Sequence, residues 1–215
     1  MGIETEPARR AVTLRQRVAG GGTAGNEELT AVTSIVLLVL LAALGVTVLR
    51  VGQLLNPHMF IGMLLLGPVA LKMASTGYRF ARYYTGASTY VRKGPPPLTL
   101  RLIAPIVVLS TITVFATGVV LLVAGPSARS PFLLLHKASF AIWLAFMALH
   151  VLAHLPELPH SLRATRSRER PWDDQGAGRG GRGLLLAGSL VGGVVLAILV
   201  IPLFSSWAHF HGLSN

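Results

Sequence analysis

Five apolar segments, at residues 30–49, 58–77, 102–124, 131–154 and 183–204, take up most of this 215-residue chain. Each has about the 20 residues that a helix needs to cross hydrocarbon. Backbone N–H and C=O groups in a bilayer must be satisfied within the segment itself, so each is predicted to be a transmembrane α-helix. Only 13% of the residues are charged, about half the share of an ordinary soluble domain. The expected class is all-α and polytopic: a four-helix transmembrane bundle plus a fifth transmembrane helix. The first segment is longer than a signal-peptide core and no small-x-small cleavage site follows it directly, so it is expected to be retained.

The net charge of +11 would suit nucleic acid in a soluble chain; here its distribution reports topology instead, and no nucleic-acid partner is expected. Sixteen of the nineteen basic residues fall before the first segment, between the second and third, or between the fourth and fifth, counting Lys72 near the inner end of the second. Arg50, Arg129 and Lys137 alone lie on the other side. The positive-inside rule then predicts a protein of the cell inner membrane, with its N-terminus cytoplasmic and its C-terminus outside. This divides the chain into a cytoplasmic segment 1–29, a bundle 30–155, a basic cytoplasmic loop 156–182, a fifth helix 183–204 and an extracytoplasmic tail 205–215.

The outer connections 50–57 and 125–131 are short, so the first and second spans, and the third and fourth, are expected to form antiparallel hairpins. The Gly-rich stretches 19–28 and 173–183 read as flexible linkers, and "KGPPPL" at 93–98 as a stiff one. The fifth span carries Gly188 and Gly192 at GxxxG spacing, for packing on the outside of the bundle or against a partner helix.

The chemistry lies in "LLLHKASFAIWLAFMALHVLAHL", residues 133–155. His136, His150 and His154 fall on one stripe of the fourth span; the first two, 14 residues apart, are separated by roughly 21 Å along the axis. An imidazole in hydrocarbon is costly without a polar partner, so such residues face the bundle interior and pair, bind a ligand or line a wet cavity. His58, in "LNPHMFIGMLLLG" at the start of the second span, stands at the outer level with His136. Two imidazoles from facing helices at one depth are the requirement of a bis-histidine haem. Gly62, Gly67 and Gly118 would leave room for a flat macrocycle, and Arg50, Arg129 and Lys137 could pair with its propionates. Cysteine is absent, which excludes disulfides, iron–sulfur ligation and covalent haem attachment.

This pattern resembles the membrane cytochrome b subunits of formate dehydrogenases and nickel–iron hydrogenases, within the wider di-haem cytochrome b superfamily. The resemblance covers residues 30–155. It implies that His58 and His136 are the axial ligands of one haem b iron, and that His150 would ligate a second haem opposite a histidine of the first span. That span, "TAVTSIVLLVLLAALGVTVLR", has no histidine. His154 could replace the missing ligand only by an unusual arrangement, since two histidines one turn apart on one helix cannot take opposite faces of a haem; Met73, at the inner end of the second span, is another candidate partner for His150 or His154. Lys72 reads as a snorkelling lysine.

The remaining polar features have plainer readings. His160 reads as a loop residue and His209 and His211 as part of a solvated tail; Tyr78, Tyr83, Tyr84 and Tyr90 read as an interfacial anchor that could also flank a quinone. All eight acidic residues fall in loops or the N-terminal segment, so no carboxylate pair is placed for acid–base catalysis. The expected function is electron transfer between a membrane quinone and a catalytic redox subunit, through haem b. The alternative is a haem-free protein whose histidine stripe conducts protons or a divalent metal, or a membrane anchor.

Overall fold

The computed structural model describes residues 22–92, 94, 98–154 and 178–208; of His154 it describes the backbone alone. His160, His209, His211 and the arginines of residues 1–21 lie outside the described residues. Among those described there is no strand, and five long helices are each apolar enough to cross a membrane. They are α1 (Gly22–Leu49), α2 (Leu55–Tyr84), α3 (Leu98–Ala124), α4 (Arg129–His154) and α5 (Arg179–Leu199).

Helices begin earlier and end differently from the apolar segments that reveal them. The Gly-rich residues 22–28 form the first turns of α1, and 179–183 the first turn of α5, where flexible linker was expected. Glu27 and Glu28 are therefore helical residues of α1. α2 has 30 residues, about 45 Å of helix against about 30 Å of hydrocarbon. Its last turns, with Tyr78, Phe80, Tyr83 and Tyr84, thus extend past the apolar stretch. α5 stops at Leu199 instead of continuing to 204, because Pro202 has no N–H to offer Ile198. The chain turns through Ile201–Phe204 into the short helix Ser205–Ala208.

Tight turns at 50–54 and 125–128 join α1 to α2 and α3 to α4, giving the two antiparallel hairpins. The second turn uses Gly125 at φ +68°, a left-handed conformation that costs glycine nothing. The end of the molecule that carries both turns is the turn end, and the opposite end is the basic end.

The surface is inverted relative to a soluble protein. Leu38, Val39, Leu109, Leu134, Leu152, Leu184 and Leu199 are all exposed, while Thr33, Ser75, Ser110, Thr111, Thr117 and Ser139 are buried. A bilayer makes sense of both: lipid is as apolar as leucine, so helices associate through small and polar side chains. Within the second hairpin, Trp143 Nε1 donates to Thr111 Oγ1 at 3.0 Å, a bond from α4 to α3.

α5 packs along α2, within the molecule. The stripe that makes this contact is not Gly188 and Gly192, beside which a β-carbon would meet nothing within 4 Å, but Ser189, Gly193 and Ala197, one position further on. A β-carbon on Gly67 would collide with the Ser189 carbonyl, and one on Gly193 with the Leu64 carbonyl. Gly67 is thus occupied by α5 and leaves no room for a macrocycle. Near the turn end, Met63, Leu122, Ala197 and Phe204 form a core where α2, α3 and the α5 extension meet. At the basic end Arg182 of α5 pairs with Glu28 of α1 at 2.9 Å. The fifth helix therefore ties the first hairpin to the second.

Candidate functional site: a histidine pair between two hairpins

Each histidine near the turn end is held first by its own hairpin. Thr47 stands five residues before Gly52 and His58 five after Gln53, so the α1–α2 turn brings them opposite each other. The second hairpin repeats the construction, with Thr117 nine residues before Pro126 and His136 nine after Ser127. The resulting contacts are Thr47 Oγ1 to His58 Nδ1 and Thr117 Oγ1 to His136 Nδ1, both 3.0 Å.

The direction of these bonds follows from what each hydroxyl already does. Thr47 Oγ1 donates its one proton to the Leu44 carbonyl at 2.6 Å, and so can only accept from His58. Thr117 Oγ1 donates to the Thr113 carbonyl at 2.7 Å. His136 Nδ1 is also 3.0 Å from the carbonyl of Val114, which is an acceptor and nothing else. In both rings Nδ1 is therefore the protonated nitrogen, which in the neutral imidazole leaves the lone pair on Nε2. Neither Nε2 makes a hydrogen bond among the described residues.

The two hairpins bring these rings together. His58 and His136 are half-buried, with ring centres 6.5 Å apart and planes at 89°. Two imidazoles that share one metal through bonds of about 2 Å have ring centres roughly 6 Å apart. The perpendicular ring planes do not oppose this, since a shared metal would impose no angle between them. Gly118 of α3 backs the His136 ring: a β-carbon there would lie 3.2 Å from Cε1. Gly62, one turn from His58, has open space beside it. In donor type, tautomer and ring spacing the two histidines are a pair that would suit a haem iron. Among the described residues no group of three or more His, Cys, Asp or Glu could hold a metal ion by protein ligands alone.

The level of His150, toward the basic end, is different. His150 is half-buried on α4, and among the described residues no imidazole of another helix stands at its height. The His154 side chain lies outside the described residues. Arg50 and Lys137 are exposed at the turn end, and Arg129 is half-buried at the start of α4. Lys72 does not snorkel. Its ammonium turns toward α1, donating to Ser34 Oγ at 2.6 Å and to the Thr30 carbonyl at 3.1 Å.

Thr47, Thr117 and the Val114 carbonyl are the site residues that sequence reasoning missed. The signal was present in part: counting equal distances from each hairpin turn gives both threonines, although the Val114 carbonyl partner follows only from the coordinates. No protein-family model, curated protein or solved structure matches this chain.

Proposed function

We propose that this protein is a b-type cytochrome of the inner membrane, a subunit that passes electrons between a membrane quinone and a catalytic redox partner, with its N-terminus in the cytoplasm. The observation that carries this reading is the His58–His136 pair: two rings from separate hairpins, 6.5 Å apart, each with Nδ1 committed to an acceptor of its own hairpin. That arrangement orients both Nε2 lone pairs without using them, as the outer hydrogen bond of a metal-bound histidine does. A proton path would be served better by rings whose two nitrogens both exchange with donors and acceptors, and by carboxylates, which the described bundle interior lacks at this level.

His58 and His136 would hold the haem iron, and Thr47, Thr117 and Val114 would fix the two rings. Bound haem supplies one-electron chemistry; the protein supplies the ligands, their orientation and a low-dielectric setting that shapes the potential. Among the described residues the only carboxylates, Glu27 and Glu28, stand at the basic end of α1, away from the histidine pair, and a catalytic partner subunit is part of the proposal.

The test is the absorption spectrum of the protein purified after expression with haem supplied. The wild type should show a reduced haem-b band, which His58→Ala and His136→Ala should each abolish and His150→Ala should retain. A colourless wild type would overturn the proposal in favour of the haem-free alternative.

A further inference from the structure

The second polar centre of the molecule lies between α1 and α2, toward the basic end. Its members are Asn26, Thr30 and Ser34 of α1 with Lys72 and Ser75 of α2. Thr30 Oγ1 bonds the Asn26 carbonyl and Ser75 Oγ, Ser34 Oγ the Thr30 carbonyl, and Ser75 Oγ the Lys72 carbonyl. The hydroxyl protons are thus committed inside the cluster. Lys72 uses two of its three ammonium protons, on Ser34 and Thr30, and among the described residues has no carboxylate partner. A donor remains where hydrocarbon would otherwise surround it.

Its height is set by the same spacing as the histidines. Lys72 follows His58 by 14 residues on α2, as His150 follows His136 on α4, and both helices run from the turn end to the basic end. Lys72 and His150 are therefore each about 21 Å along their helices from the pair. Lys72 is also five residues inside the end of the apolar stretch at Gly77, about 8 Å below the boundary. A lipid phosphate brought to that depth would lose its hydration. A neutral carbonyl on an apolar ring already dissolved in the bilayer pays no such penalty, and it accepts the hydrogen bond that the cluster has to give.

We propose that Lys72, seated on Thr30 and Ser34, is the hydrogen-bond anchor for one carbonyl oxygen of a membrane quinone. The assignment rests on the electron-transfer reading for its choice of ligand, and its test does not depend on haem. Protein in phosphatidylcholine nanodiscs is equilibrated with a short-chain benzoquinone, and bound quinone is measured by dialysis. The wild type binds one saturable equivalent; Lys72→Met and Lys72→Gln weaken binding at least tenfold, and Ser34→Ala does so by a smaller factor. In unmutated protein the quinone also slows acylation of the Lys72 amine by a membrane-permeant reagent, read by peptide mass, so the outcome does not hang on the variants folding. Absence of saturable binding, equal binding by the variants, or no protection of the amine overturns the assignment. So does Lys72-dependent retention of phosphatidylglycerol without quinone binding, which would give the ammonium to a lipid phosphate. Haem absorbance of the same samples reports the histidine pair separately: quinone binding without a haem band defeats the cytochrome reading alone, and the converse defeats this one alone.

Discussion

The carbonyl oxygen of Leu64 occupies the place that a β-carbon on Gly193 would need. Pro68 explains why it is there. Proline has no N–H, so the carbonyl four residues earlier loses its helical partner, and in lipid no water replaces it. The backbone of α5 moves in at a glycine, where a weak Cα–H···O contact is available and two helices can approach closely. Gly193→Leu, or Gly67→Leu on the facing helix, is expected to destabilise the fold by about 1–3 kcal/mol through overpacking. Thermal unfolding in detergent should show a lowered midpoint for both and an unchanged one for Gly188→Leu, whose side chain would enter open space.

The threonines behind the histidines are expected to differ in importance. His136 Nδ1 has the Val114 carbonyl as well as Thr117, whereas His58 Nδ1 has Thr47 alone. Thr47→Val should lower haem affinity by about 10–100-fold, the usual cost of losing the partner of a metal-bound histidine, and Thr117→Val by less. Haem titration of the apoprotein gives both values. Nitrogen NMR of the apoprotein should find Nδ1–H in the wild type and a mixture of tautomers at His58 in Thr47→Val.

If the pair holds haem as proposed, the two glycines near it should respond differently in the empty and the loaded protein. Gly118→Leu would press on the His136 ring, so it should disturb that ring with or without haem. Gly62→Leu has nothing of the protein to strike. It should unfold at the wild-type temperature as apoprotein and still bind less haem, because only a group held by His58 would meet the new side chain. Equal haem binding by Gly62→Leu and the wild type would place the macrocycle away from α2.

The Arg182–Glu28 pair is the tie between α5 and α1 at the basic end, with side chains 11% and 20% exposed. A double-mutant cycle of Arg182→Ala and Glu28→Ala in thermal or denaturant unfolding should give a coupling of about 1 kcal/mol or less, falling as salt is raised. A coupling of zero at low salt would leave α5 held by its packing along α2 and by the core that Ala197 and Phe204 share with Leu122 of α3.

The helical class, the five spans and the two hairpins were legible in the chain because lipid imposes one rule on every residue of a span: backbone bonds close within the helix and side chains are apolar. Runs of such residues and tight connections between them need no tertiary information. The ends were less legible. Residues 22–28 and 179–183 read as flexible glycine linkers and are helical, α1 and α5 being joined there by the Glu28–Arg182 pair, while Pro202 stops α5 before its apolar run is over.

Histidine spacing by itself placed His58 and His136 at one height, because rise along a helix is fixed by residue number. That their rings come within 6.5 Å of each other was decided by how the hairpins meet. The same limit explains Lys72, which by sequence belongs to the interface and in the fold turns inward to Ser34, and Gly67, which by sequence leaves space and in the fold is filled by Ser189. Depth and helicity are properties of a segment and can be read along it. Which face meets which neighbour depends on the rotation and approach of two helices together, and only the packed structure sets those.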